Sequence, residues 1–367
     1  MREQYLDGLR GWAALIVVAY HITLMIWGEL HPPFKLLVLD GPFAVYIFFA
    51  LSGYVLSVAN FRGSSKREVF DMALRRYPRL TIPIFAISAL ALSMMLLDVF
   101  ANPAASKVLG TEWWLGIFYT FDPGLFDMLY YSLWVVFFGG NAYWYNSSLW
   151  TMPTEMIGSL LIFAFLLIAG RSSLLRLLGH ALFIGICWWL KSFMLAMALG
   201  VAIAHFVQSG AHQRLKNSTF GFWCSWILLA AGLFGAGQRT DTYASVSSGF
   251  SAAAVVYAVM INAPMQRALS LPFSQWLGKL SFSLYLVHIL VICSVGSWAA
   301  VALAEIGWLT IFGKLFLFAA TLVTAVAAAI AFYPVDRFGI EISRRFARAV
   351  LGMPRVDQPR QDAVTLL

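Results

Sequence analysis

Ten apolar runs, each close to the length that crosses a bilayer, follow one another along the chain and leave it few folds to choose from. They lie at approximately 11–28, 41–60, 80–98, 152–169, 174–190, 192–208, 219–236, 245–262, 281–303 and 310–333. Inside hydrocarbon no water satisfies a backbone N–H or C=O, so runs of this kind fold as helices. Composition agrees: of 367 residues 61% are hydrophobic and 11% charged, whereas soluble domains run near half and a quarter. The expectation is an all-α polytopic membrane protein with about ten transmembrane helices.

The charge pattern orients it. A net charge of +8 raises nucleic acid as a partner, but the basic residues fall between the apolar runs, where membrane topology accounts for them and no nucleic acid is expected. With the N-terminus inside, Arg2, Arg10, the six basic residues from Arg62 to Arg79, Arg171, Arg176, Arg214, Lys216, Arg267, Lys279 and the six from Arg337 to Arg360 are cytoplasmic. That is twenty of the 25 Lys and Arg residues. Only Lys35, Lys107, Lys191, Arg239 and Lys314 fall outside, so both termini are expected in the cytoplasm. The run from Arg2 to Trp27 shows no small-residue cleavage site and reads as a retained first helix. The domain reading is one membrane domain, 1–336, and a basic cytoplasmic tail, 337–367. Arg344, Arg345 and Arg348 there read either as a topology signal or as a contact with anionic membrane lipid. Residues 99–151 allow two readings, short helices dipping into the membrane or an aromatic cap lying on it. Only Lys191 separates the runs 174–190 and 192–208, which implies a tight hairpin there or that one of the two is not a span. Cys187, Cys224 and Cys293 have neither disulfide nor zinc spacing, and no metal is expected.

Polar residues inside such sequence are costly and mark candidate sites. Arg10 opens the first run and His21 lies eleven residues on, roughly 16 Å along a helix and near mid-membrane depth. Arg10 alone is an ordinary orientation signal, pairable with Asp7 one turn before it, and His21 alone is an ordinary satisfied histidine; together they favour function. Arg75-Arg76-Tyr77-Pro78-Arg79 is read as a cytoplasmic loop leading into the third run, with Pro78 at the helix start. Guanidinium forks there suit a phosphate-rich ligand. Ser148-Leu149-Trp150 precedes Glu155, which is either a carboxylate favoured by the helix N-terminus or a group that orients a histidine or an acceptor. Ser281, Tyr285 and His288 share one helical face, as glue or as site. Ser52-Gly53 reads mainly as a packing contact.

Taken together these stretches resemble the membrane acyltransferase-3 family. Its arginine, ten intervening residues and histidine correspond to Arg10 and His21 within Leu6-Asp-Gly-Leu-Arg-Gly11. The paired-arginine motif is similar to Arg76-Tyr-Pro-Arg79, the Ser-Gly turn to Ser52-Gly53-Tyr54, the Ser-Leu-Trp motif with downstream glutamate to Ser148-Leu-Trp150 and Glu155, and the late motif to the segment ending Tyr285-Leu-Val-His288. Members often carry a glutamate two positions before a proline in the last span; here that position is Phe332, with Asp336 just beyond Pro334.

The resemblance implies transfer of an acetyl or other short acyl group from cytoplasmic acetyl-CoA, or another acyl-CoA, to a carbohydrate acceptor. The acceptor would be a sugar hydroxyl of an exopolysaccharide, lipopolysaccharide or lipid-linked glycan, reached from a bacterial cytoplasmic membrane, with glycan-assembly proteins as partners. It implies Arg10, Arg76 and Arg79 on the donor's phosphates, His21 as general base or transient acyl carrier, Glu155 and His288 as its orienting groups, and Trp150 and Tyr285 on substrate. The rivals are a proton-coupled transporter with a histidine relay, against which the absence of an inverted repeat counts, and a structural assembly subunit.

Overall fold

The computed structural model describes residues 3–28, 40–139, 144–170, 172–237 and 245–352, and among these the regular structure is all helical. Of the basic residues in the charge bias, Arg2, Lys35, Arg171, Arg239, Arg355 and Arg360 lie outside the described residues. The helices are α1 Gln4–Trp27, α2 Gly41–Phe61, α3 Lys66–Leu96, α4 Asn102–Leu109 and α5 Leu125–Phe138. They continue as α6 Met152–Ala169, α7 Ser173–Trp189, α8 Met194–Phe206, α9 Gly210–Lys216, α10 Thr219–Gly237, α11 Val246–Ile261 and α12 Ala263–Leu269. The last two are α13 Pro272–Glu305 and α14 Ile311–Val350.

Among the described residues, seven helices are long and apolar enough to cross a membrane, and nine spans result if the bent pairs α8/α9 and α11/α12, kinked by 90° and 96°, each count as one. The fifth apolar run, α7, has 17 residues and falls short on length. It joins α8 through the expected hairpin: Lys191 adopts a left-handed φ of 48°, and the Ser192 amide donates to the Cys187 carbonyl at 2.9 Å.

The third span differs most from expectation. Arg75 to Arg79 belong to α3, a single helix of 31 residues, rather than to a loop before it. Its start is fixed by a reciprocal cap in which Ser65 Oγ accepts from the Glu68 amide and the Glu68 carboxylate accepts from the Ser65 amide. A proline inside a free helix costs about 3 kcal/mol, which is why Pro78 reads as a start. Here Pro78 and Pro83 are both internal, in a helix packed along α6 and α14. Arg76 and Arg79 are consequently buried, 7% and 9% exposed. The last helix likewise passes through Pro334 and runs unbroken from Ile311 to Val350, with no break at residue 336.

Of residues 99–151, the described ones, 99–139 and 144–151, enter the bundle as short helices and turns. Thr111 Oγ1 donates to the Met25 carbonyl at 3.2 Å, closing the Trp27 end of α1. The Tyr77 hydroxyl donates to the Leu133 carbonyl at 2.6 Å, so α5 reaches the middle of α3.

Helices in lipid gain little from hiding apolar surface and pack instead through small residues that admit close backbone approach. The contact of α1 with α13 is of this type. A Cβ on Gly11 would lie 2.4 Å from the Gly278 nitrogen, and one on Gly278 would lie 2.4 Å from the Asp7 carbonyl oxygen. Ten residues beyond each glycine stand His21 and His288, and these also meet. Equal offsets in the same sense make the two helices parallel.

Candidate active site

Two polar groupings lie on this frame. The first lines a cleft of about 820 Å³, open mouth included, to which Arg10, Ser52, Arg76, Arg79, Glu155, Ser281 and Tyr285 all contribute. Arg76 is ion-paired with Glu155 and donates through Nε to Ser159 Oγ at 3.0 Å. Glu155 also accepts from Ser52 Oγ at 2.7 Å. Arg76 and Glu155, expected to serve separately on the donor's phosphates and beside His21, are therefore one unit. Ser52 serves the site while Gly53 serves packing, since a Cβ on Gly53 would lie 2.0 Å from the Met197 carbonyl oxygen.

Arg79 Nη1 lies 2.6 Å from Asp336 Oδ1, and its guanidinium stands 5.1 Å over the Phe282 ring. The carboxylate that holds Arg79 thus stands two residues after Pro334, while the position two residues before it is Phe332. Arg10 is partly buried; Asp7 and Glu155 are the carboxylates whose charge reaches it. Among the described residues it forms no hydrogen bond or ion pair. The cleft therefore presents two arginines held by carboxylates and a third with open donors, an arrangement suited to an anion.

The second grouping is a histidine pair. His288 Nδ1 lies 2.7 Å from the Tyr285 carbonyl, and His288 Nε2 lies 3.1 Å from His21 Nδ1. A carbonyl only accepts, so His288 Nδ1 carries its proton and, in the neutral ring, Nε2 offers a lone pair. His21 Nδ1 must then be the donor, and His21 Nε2 is left as the free base of the pair. The two ring centroids lie 5.0 Å apart, and the Trp114 ring stacks on His21 at 5.6 Å and 10°.

A short turn holds the pair in place. Asn146 Nδ2 donates to the Leu286 carbonyl at 2.6 Å while its Oδ1 accepts from the Ser148 amide and hydroxyl. The Tyr285 hydroxyl donates to the Ser148 carbonyl at 2.6 Å and lies 2.9 Å from Thr151 Oγ1. Tyr285 is the side chain common to both groupings: it lines the cleft, and its ring lies 5.9 Å from that of His288.

Of the residues singled out in the sequence, Arg10, Arg76, Arg79, Glu155 and Tyr285 share the cleft, and His21 and His288 share the pair. Trp150 is in neither; it packs edge-on against Phe193 at 5.1 Å. Glu155 does not touch His21; it is held by Arg76 and Ser52. Missing from the sequence reading were Asp336 as the partner of Arg79, Trp114 as the cover of His21, and Asn146. The first had a signal, an intramembrane aspartate just past the expected position; the other two sit in irregular segments that no periodicity marks. Among the described residues no three His, Cys, Asp or Glu side chains converge as a metal site.

Comparison with known proteins bears on this geometry. No solved structure matches the chain. O-acetyltransferase PaAT-1 of Phomopsis amygdali is 24% identical over 366 aligned positions, covering 77% of this chain and 71% of its own. Residues 3–333 match the acyltransferase domain that defines the acyltransferase-3 family. That span takes in the cleft arginines, Glu155 and both histidines, and on it the chain belongs to the acyltransferase-3 family, as an integral membrane acyltransferase.

Proposed function

We propose that the protein moves an acetyl or other short acyl group from cytoplasmic acyl-CoA to a hydroxyl of a sugar in an exopolysaccharide, lipopolysaccharide or lipid-linked glycan. The observation that carries this reading is that two parallel helices join an arginine-lined cleft, to which they give Arg10 and Tyr285, to a base-bearing histidine pair. Arg10 and His21 are eleven residues apart on α1, roughly 16 Å, a reach suited to a donor whose phosphates and thioester are joined by a long flexible arm. Phosphate oxygens accept from Arg10, whose donors are open, and from the outer edges of Arg76 and Arg79. The arm passes Tyr285 to bring the thioester to the histidines.

At that point His21 Nε2 takes the proton of the acceptor hydroxyl while its oxygen attacks the thioester carbonyl. The carbon–sulfur bond breaks, and the proton leaves on the thiolate. His288 acts through His21, because its Nε2 holds the Nδ1 proton in place and so keeps the catalytic nitrogen unprotonated. Asn146, Tyr285 and Thr151 position α13 for that role.

The reading includes ten crossings with both termini in the cytoplasm of a bacterial inner membrane. Its support is the path of α7. His180, in the middle of α7, lies 3.1 Å from His205 near the end of α8 and 5.1 Å from Phe165 near the end of α6. From there the remaining nine residues to Trp189 carry α7 about 14 Å back toward the start of α8. The glycan acceptor then arrives from the face opposite the donor, alone or presented by glycan-assembly proteins.

The test is acyl incorporation into glycan by proteoliposomes given labelled acetyl-CoA. His21→Ala is expected to lose about 10²–10⁴-fold in turnover, and Arg10→Ala to raise the KM for acetyl-CoA with a smaller effect on turnover. His288→Ala is expected to lower turnover without changing that KM. Full activity in His21→Ala, or solute flux without acyl incorporation in the wild type, would defeat the reading.

A further inference from the structure

Outside the cleft, positive charge gathers where the Lys66 end of α3 runs antiparallel to the Val350 end of α14. Two ties fix the register: Arg79 to Asp336, and Arg67 Nη2 donating to the Leu351 carbonyl at 2.7 Å. Between them lie Arg75 on α3 and Arg337, Arg344 and Arg348 on α14, the last three at spacings of seven and four and hence on one stripe.

The carboxylates in this stretch are already engaged. Asp71 pairs with Arg75, and Glu341, on the α14 stripe, pairs with Arg345. Arg344 is partly buried, and the charged side chains acting on it are Arg75, Arg337, Arg348 and Arg79, all positive. Among the described residues it makes no hydrogen bond or ion pair. A guanidinium drawn partly out of water and set among like charges is an unfavourable arrangement in a folded protein unless an anion completes it. A topology signal needs basic residues on this side of the membrane; it does not need one of them partly buried without a carboxylate partner.

Arg79 links the two sites, since it lines the cleft and its charge reaches Arg344. We propose that Arg344, with Arg75 and Arg348, forms a phosphate-monoester site continuous with the cleft and receives the 3′-phosphate of the acyl-CoA donor. This assignment rests on the acyl-CoA reading above. The donor's pyrophosphate then lies at Arg10, Arg76 and Arg79. Its 3′-phosphorylated ribose lies farther from the histidines, toward Arg344, eight residues or about 12 Å beyond Asp336 on α14. A row of guanidiniums matches a ligand with phosphates at both ends of its nucleotide. It also sets the donor's direction, thioester inward.

The phosphate of an anionic lipid headgroup has the same chemistry, so the test separates the two sources. The full chain in phosphatidylcholine nanodiscs, with and without phosphatidylglycerol, is titrated with CoA and with 3′-dephospho-CoA, following tryptophan fluorescence. Wild type is expected to bind CoA about tenfold tighter than 3′-dephospho-CoA, the scale of one charge-assisted contact. Arg344→Gln is expected to lose that preference by weakening CoA alone, and Arg344→Lys to retain part of it in a protein of unchanged elution profile.

A preference that survives Arg344→Gln, or an equal loss for both nucleotides, overturns the assignment. So does an effect of Arg344→Gln confined to retention of phosphatidylglycerol in native mass spectra, which identifies a lipid site. Equal binding of the two nucleotides by wild type refutes this assignment and leaves the acyl-CoA reading standing, whereas wild type that binds neither refutes both.

Discussion

Arg76 and Glu155 show how a side chain's role depends on what it meets across the bundle. Each is visible in the sequence as an intramembrane charge, and each has an ordinary individual reading, phosphate contact for one and helix-terminal carboxylate for the other. That they are partners depends on α3 and α6 lying side by side at that depth, which no spacing within either helix encodes. Breaking a buried pair by removing one member leaves an uncompensated charge and costs about 3–5 kcal/mol, while replacing both with apolar groups of similar volume is often neutral or better. Glu155→Leu is therefore expected to lower thermal stability in detergent, and Arg76→Met/Glu155→Leu to recover it. Activity is expected to stay lost in the double variant, because Arg76 also faces the cleft. A double variant both stable and active would make the pair purely structural. His21 and Arg10 were legible as candidates because a charge and an imidazole on one apolar helix are costly. Trp114 and Asn146 were not legible, because their value lies in stacking and turn geometry between segments distant in sequence.

At the scale of elements, helices were legible and their ends were not. Apolar content marks where a helix crosses, but the charged half of α3 carries no such mark, and Pro78 argues against helix until α6 and α14 are beside it. Interhelical distance was equally hidden, since Gly11 and Gly278 are unremarkable alone and decisive as a pair. The backbones touch there, and the parallel course of α1 and α13 carries that closeness ten residues on to the histidines. Gly278→Ala places a methyl 2.4 Å from the Asp7 carbonyl oxygen, so α1 and α13 have to separate. The His21 Nδ1 to His288 Nε2 contact at 3.1 Å does not survive a parting of even 1 Å, given how steeply hydrogen bonds weaken. Gly278→Ala is expected to insert and fold with turnover reduced at least as far as in His288→Ala. The same change at Gly185, where an added methyl meets nothing, is expected to leave acetyl transfer unchanged. Equal activity of both variants would show that the close approach does not set the histidine geometry.

For the whole molecule, the sequence's strongest statement was its parity, and parity turns on one short helix. Lys107, in the segment before α6, and Ala349, at the end of α14, are separated by every crossing from α6 onward. With α7 spanning, those crossings are α6, α7, α8, α10, α11, α13 and α14, an odd number, and the two positions face opposite sides. Without α7 the number is even and they share a side. Length and apolar content leave this open, because α7 has only 17 residues; the contact of His180 with His205 favours a crossing by setting the middle of α7 against the end of α8. The measurement is single-cysteine labelling at positions 107, 191 and 349, after replacement of Cys187, Cys224 and Cys293, with a membrane-impermeant maleimide. Positions 107 and 191 are expected to label in intact cells and position 349 only after permeabilisation. Labelling of 107 and 349 from the same side would remove α7 from the membrane. It would also undo the separation of donor and acceptor faces, since Arg344 and the donor cleft take their side from α14, and the turn at Asn146 takes its side from α6.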